Sequence, residues 1–337
     1  MSPTIDTESA SVKYRAKMID LGRRRLLVTN FLGSEQANDL TVPPNCSGFG
    51  RVRHFRRERV EGWPPNPLPI DPACRALGLP STSQLRAQVF QTAGCNWRCW
   101  YCYVPYNLLA ADPRHAAWLT PAELVDLYVA DPDPPPMIDL TGGQPDLVPE
   151  WAIWMMEELR SRGLEKSVYL WTDDSLSSDY LWRYLSDSQL ALLGSYSQFG
   201  RVCCFKGFDE SSFAFNTAAA GHLFARQFEL FRRHLDLGAD LYAYVTLTGP
   251  PTSDLPAAIA RFVDQLQEIH PNLPLRTIPL PIEVFGPVKS RLNTERSASL
   301  TLQFRAVDLF LRELQARFPS SALTIPIVEV PLRRGEI

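Results

Sequence analysis

No run of apolar residues in this 337-residue chain approaches the roughly 20 that a membrane-crossing helix needs. The net charge is only −3, which excludes bulk attraction to nucleic acid or to an anionic membrane surface. Met1 to Lys17 is polar and of mixed charge, which is not the pattern of a secretory signal. The five histidines show no metal-ligand spacing, and no internal repeat is visible. Cysteine is sparse. Seven of them, three in one short run, suit a reducing cytoplasm better than a disulfide scaffold. Hydrophobic content of 45% and charged content of 21% are ordinary for a folded soluble protein, and the length holds one large domain or two small ones.

Charge is nevertheless unevenly spread. The first 60 residues carry 11 Lys/Arg against 6 Asp/Glu. Two clusters make the excess: Arg23-Arg24-Arg25, and Arg51, Arg53, Arg56, Arg57 and Arg59. A solvated face, or ion pairs to the acidic remainder, is the preferred reading; a phosphate-bearing substrate is the other. The stretch Trp63-Pro64-Pro65-Asn66-Pro67-Leu68-Pro69 cannot be a regular helix and reads as a tether into the main domain.

The run Cys95-Asn96-Trp97-Arg98-Cys99-Trp100-Tyr101-Cys102 has the spacing C-x3-C-x2-C. An iron–sulfur cube usually takes four thiolates. Three in one tight loop can hold three irons and leave the fourth open to a ligand. A structural zinc site is the alternative, but it needs a fourth ligand and more often uses paired C-x2-C units, of which no second one is present. Tyr101 offers a flat face where an adenine could rest. In this spacing, with an aromatic residue before the last cysteine, the chain resembles the radical S-adenosylmethionine (radical SAM) superfamily. The resemblance runs from about Arg86 to Glu283.

Strands and helices alternate over that region. Strands are expected at 86–93, 137–141, 167–172, 201–206, 240–246 and 275–280. Helices are expected over 120–128, 149–162, 179–185, 222–237 and 254–268. Thr120-Pro121-Ala122-Glu123 is a capping box, and Gly163 and Gly238 close their helices. Six strand–helix units argue for a parallel sheet with helices outside. The expected fold is α/β, a partial (β/α)6 barrel at 83–290, which the resemblance also implies. A basic, partly irregular extension precedes it at 1–82. A helix over 297–317 and a final strand near 323–328 complete 291–337.

In such folds the chemistry sits where strands end. The second strand runs into Thr141-Gly142-Gly143-Gln144-Pro145. Glycines there let backbone approach a ligand. The resemblance implies a Gly-Gly-Glu-Pro segment that binds the methionyl amino group of SAM; Gln144 stands in place of the acid. The third strand ends at Thr172-Asp173-Asp174, where the glycyl-radical activating branch of the superfamily has Thr-Asn-Gly near the SAM ribose and carboxylate. Asp173 is the implied ribose contact, with helix capping as its alternative. Lys206 ends the fourth strand and is the implied partner of the SAM carboxylate. Strand parity puts Val202, Cys204 and Lys206 on the lumen side and Cys203 and Phe205 against the helices. By the same parity Tyr242, Tyr244 and Thr246 line the lumen, with Arg276 and Glu283 as further polar wall residues. Cys204 and Tyr244 are the candidates for a catalytic role. Cys46 and Cys74 alone cannot hold a second cube.

The resemblance implies a [4Fe-4S] cluster on Cys95, Cys99 and Cys102, with Tyr101, Gly142, Gly143, Gln144, Asp173 and Lys206 around SAM. An electron from a donor such as flavodoxin or ferredoxin would cleave SAM to methionine and a 5′-deoxyadenosyl radical. That radical would take hydrogen from a small-molecule or peptide substrate. An activating enzyme that makes a glycyl radical on a partner protein is the alternative, and a non-catalytic metal-cluster protein a lesser one.

Overall fold

The computed structural model describes residues 4–58, 60–252 and 254–332, so Arg59 lies outside it. Ten strands appear in chain order: β1 (Ile19–Asp20), β2 (Arg25–Thr29), β3 (Gly50–Arg56), β4 (Gln84–Gln91), β5 (Ala116–Leu119), β6 (Met137–Thr141), β7 (Tyr169–Asp174), β8 (Phe199–Phe205), β9 (Asp240–Val245) and β10 (Thr277–Pro279). Seven form one curled sheet in the order β10-β9-β8-β7-β6-β4-β3. The six from β4 to β10 are parallel neighbours. Strand β3 runs antiparallel along β4 at the edge. A half-barrel results, and the N-terminal segment supplies its seventh strand.

Local chemistry accounts for the helices. The capping box at Thr120 and Glu123 starts the helix Pro121–Val129. Gly163 and Gly238 take positive φ just past the helices Glu150–Ser161 and Leu223–Asp236, as helix-terminating glycines do. Two helices without strong periodicity, Asp187–Ser195 and Glu210–Thr217, fall between the expected ones. The outer layer packs on Cys203 and Phe205, assigned to the helix side by strand parity, and on Ala243, Val245 and Leu247.

The inner face is filled at its floor. Leu68, Ile70, Ala73 and Cys74, from the helix Ile70–Leu77 and the turn before it, pack with Tyr169, Trp171, Val202, Cys204, Tyr242 and Tyr244. The proline-rich tether before that helix crosses the open side of the half-barrel. Trp63 Nε1 donates to Pro279 O at 3.0 Å on β10. Asn66 Nδ2 donates to the Tyr244 hydroxyl at 3.0 Å.

The expected strand near 323–328 does not form. Residues Ser320–Leu323 make a short helix and Ile327–Glu329 a single helical turn. Pro326 lacks an N–H for a ladder. The carbonyls are taken by arginines instead: Val328 O accepts from Arg75 and Arg276, and Val330 O from Arg276 Nε at 2.8 Å. Arg276 is thus a buried anchor at the floor rather than a lumen wall residue; it also pairs with Asp240 at 2.9 Å. Glu283 lies half-buried beyond β10.

Candidate functional site

The cysteine loop follows β4 at the carboxyl end of the sheet and is held from three sides. Helix Thr7–Met18 buttresses it: Trp97 Nε1 donates to Thr7 Oγ1 at 3.0 Å, Asn96 Nδ2 donates to Ser11 Oγ at 2.9 Å, and Arg98 donates to the Tyr14 hydroxyl. Helix Glu210–Thr217 holds the second side. Arg98 N and Trp100 N donate to Thr217 O and Asn216 O at 3.1 and 3.2 Å. On the third side Arg291 Nη1 donates to Cys102 O at 2.5 Å, with its guanidinium over the Tyr106 ring.

Asn216 is the hub that sequence reading missed. Fully buried, it accepts from Trp100 Nε1 at 3.1 Å and donates to Lys206 O and Thr248 O at 2.8 Å. It therefore ties the cysteine loop to the ends of β8 and β9. Its only sequence signal was a lone amide near the end of an unremarked helix.

All three loop cysteines are free thiols. Burial pushes Cys99 up to about 12, against the nearby Lys206 charge. Arg98, Arg291 and Lys206 surround the trio, and each favours the thiolate form of at least one of them. The donor set and its cations fit an anionic thiolate-held cluster. Among the described residues the one group whose donor atoms converge closely enough for one ion is Asp174, Cys203 and His234, within 4.8 Å. Arg201 already supplies a cation beside that group, 4.0 Å from Asp174.

The glycine pair approaches this chain's own backbone. Both residues have positive φ. A Cβ on Gly143 would stand 2.3 Å from Gly94 O, and one on Gly142 would stand 2.1 Å from the Gln91 side chain. Gln144 N donates to Gly94 O at 2.9 Å, which clamps the two loops together. The side chain of Gln144 turns away from the lumen. Its Nε2 donates to Asp174 Oδ1 at 2.7 Å, and its Oε1 accepts from Ser175 N at 3.1 Å.

The adjacent aspartates leave opposite faces of β7. Asp174 faces the helices and meets His234 Nε2 at 2.8 Å. Burial opposes its charge, but His234, Arg201 and Gln144 outweigh it and bring Asp174 down to about 2. It is therefore turned away from the lumen. Asp173 faces the lumen and accepts from the Thr141 hydroxyl. Burial raises its pKa, against the bond from Thr141 and the charges of Arg53 and Lys206.

Lys206 sits half-buried among Cys204, Tyr101, Cys99 and Cys95. Burial favours its neutral form, yet these groups outweigh burial and hold its pKa well above the ordinary value. The Tyr101 hydroxyl lies 3.1 Å from Thr246 Oγ1. Cys204 faces the lumen, pushed up to about 12 by burial. The Tyr244 hydroxyl is occupied by the proline-rich tether, here a strap from Trp63 to Leu68, through Asn66 and Leu68 O. Cys46 and Cys74 lie in separate parts of the fold, one packed beside helix Pro121–Val129 and one in the floor.

The arginine cluster does not form a solvated face throughout. Arg51 is 7% exposed and lies over the Tyr103 ring. Arg53 lies 3.9 Å from the buried Asp139, and Arg57 pairs with Asp71. Only Arg56 of the four is exposed. Register on β3 explains the difference, since alternate residues face the lumen. Asp139 was overlooked because the strand around it reads as a plain buried run; the signal was a carboxylate in the middle of Met137–Thr141.

No protein-family model and no curated protein matches this chain. Among solved structures, a crystal structure of Streptococcus suis SuiB bound to precursor peptide SuiA aligns at 14% identity with a TM-score of 0.37. It covers 54% of this chain and 36% of that one. Streptococcus suis SuiB bound to S-adenosylmethionine aligns at the same identity and TM-score, over 54% of this chain and 37% of that one. The alignment thus spans little more than a third of those proteins' length. Among the described residues no helix is long and apolar enough to cross a membrane.

Proposed function

We propose that the chain is a radical SAM enzyme acting on a small-molecule or peptide substrate. One observation carries the reading: three free thiols in one loop, with Lys206 beside them, at the carboxyl end of a parallel half-barrel. When bound, a [4Fe-4S] cluster on Cys95, Cys99 and Cys102 would supply the electron that cleaves SAM. An external donor such as flavodoxin or ferredoxin would restore that electron.

The remaining roles fall to this chain's own side chains. Lys206 supplies a fixed cation for the SAM carboxylate. Asp173, on the lumen face, would accept hydrogen bonds from the ribose hydroxyls. Tyr101 offers its ring beside the cluster loop. Gly142 and Gly143 shape the loop that Gln144 fastens, so Gln144 acts by positioning. The strap from Trp63 to Leu68 and the helix Ile70–Leu77 would cover part of the lumen and limit solvent access to a radical. Cys204, a lumen-side thiol pushed up to about 12 by burial, would be the candidate to give a hydrogen atom to a substrate radical, becoming a thiyl radical that the external donor and a proton would return to the thiol.

The test is anaerobic reconstitution with iron and sulfide, then incubation with SAM and dithionite. About four irons per chain and formation of 5′-deoxyadenosine are expected. Cys95→Ala, Cys99→Ala and Cys102→Ala should each abolish both. A protein that takes up zinc alone, with no iron, overturns the reading.

A further inference from the structure

Arg51 and Arg53 stand two residues apart on β3, so both side chains leave toward the lumen, about 6.5–7 Å apart along the strand. The Nε of Arg51 has no hydrogen-bond partner among the described residues. Asp139 faces them from β6. It is fully buried, and neither of its carboxylate oxygens has a hydrogen-bond partner among the described residues. Arg53 Nη1 lies 3.9 Å from it, outside hydrogen-bond range.

Three other buried or half-buried arginines are met by a carboxylate within hydrogen-bond range. Arg15 meets Glu150 in a two-bond pair, Arg57 meets Asp71 in another, and Arg201 meets Asp146 at 2.5 Å. Around Arg51, Arg53 and Asp139 no such contact closes. Buried polar groups are normally paired, and a set left open calls for a partner from outside.

The set is also reachable. Arg53 lines a shallow open cleft together with Phe55, Trp63, Asn66 and Leu280. Its side chain is 27% exposed, against 1% for Asp139. Arg53 is the member of the set that borders the cleft. Burial and the nearby Asp173 hold Asp139 well above the usual carboxylate range, despite Arg53 and Arg51. A protonated Asp139 can donate to an anionic oxygen. Asp173 and Tyr103 also face the two guanidiniums.

We propose that Arg51, Arg53 and Asp139 form the substrate-recognition site of the lumen and take a carboxylate or phosphate group of a small molecule. The proposal rests on reading the lumen as the reaction chamber, but binding of the anion itself needs no SAM chemistry. The two guanidinium groups would grip the anion, and Asp139 would add a hydrogen bond from the far side. A substrate so held would have its remaining atoms directed toward Lys206, Cys204 and the cysteine loop.

Isothermal titration of the reconstituted full chain with inorganic phosphate, and separately with glutarate, tests this. One saturable site per chain is expected for at least one probe, and the tighter probe identifies the group. Affinity should fall with added salt. It should drop about tenfold or more in Arg53→Gln and in Arg51→Gln, as loss of a charge-assisted contact implies. Should Arg51→Gln fail to fold, Arg53→Gln, nearer the solvent, carries the test alone. Asp139→Asn should keep most of the affinity, because an amide still donates, whereas Asp139→Leu should not. No saturable binding of either probe in the millimolar range overturns the proposal. So does binding that Arg53→Gln leaves unchanged. If binding follows the arginines while the wild-type protein forms no 5′-deoxyadenosine, the radical SAM reading falls and the anion site stands.

Discussion

Replacing Gln144 by glutamate would restore the acid that the resemblance leads one to expect, and it should harm this protein. Gln144 Nε2 donates to Asp174 Oδ1 at 2.7 Å in a fully buried setting. Gln144→Glu removes that donor and sets two carboxylates in contact. If both stayed ionised about 3 Å apart, an effective dielectric near 20 gives roughly 5.5 kcal/mol of repulsion. Protonating the introduced carboxylate is cheaper. Lifting its pKa from about 4.3 to above 7.5 costs about 4.4 kcal/mol at pH 7.5 and only about 1.6 kcal/mol at pH 5.5. The protonated side chain can still donate to Asp174 and accept from Ser175 N, so protonation is the escape. The sign follows from linkage. The folded state keeps a proton that the unfolded state releases above about pH 4.3, so the penalty is absent below that value and grows as pH rises. Urea melts of wild type and Gln144→Glu at the two pH values should show a loss of about 4 kcal/mol at pH 7.5 that shrinks to about 1.6 kcal/mol at pH 5.5. Gln144→Glu with Asp174→Asn should recover part of it by exchanging acid and amide. A Gln144→Glu protein as stable as wild type at pH 7.5, or a penalty independent of pH, refutes the reasoning.

Two further predictions concern the same faces of the sheet. Lys206→Ala should weaken SAM binding about tenfold or more, since a hydrogen bond to a charged group is worth roughly 1.5–3 kcal/mol, while the cluster's absorption spectrum persists; loss of the cluster as well would show that Lys206 serves the cysteines rather than SAM. Arg201→Met should cost roughly 3–5 kcal/mol in a urea melt, because it leaves Asp146 buried without its partner at 2.5 Å, and adding Asp146→Asn should return much of the loss.

Much of the frame was legible in advance because its signals are local. The capping box at Thr120 and Glu123, the glycines at 163 and 238, and the apolar run at 137–141 each act through neighbours a few residues away, and the elements form as expected. The alternation that sends Cys203 to the helices and Cys204 to the lumen follows from pleat geometry alone. The close spacing of Cys95, Cys99 and Cys102 is likewise a property of eight consecutive residues.

What surrounds those cysteines is a different matter. Tyr14, Asn216 and Arg291 reach the loop from distant parts of the chain. Arg51 and Arg53 look no different in sequence from Arg56, yet pairing β3 with β4 sends two inward and leaves the third outside. Asp173 and Asp174 are neighbours whose roles separate only because one face of β7 meets the lumen and the other meets His234. Residues 323–328 carry β-forming side chains, but their carbonyls found Arg75 and Arg276 before they found a strand. Composition and short-range pattern specify which elements can form; desolvation and pairing across the sheet decide which charges are left for a ligand.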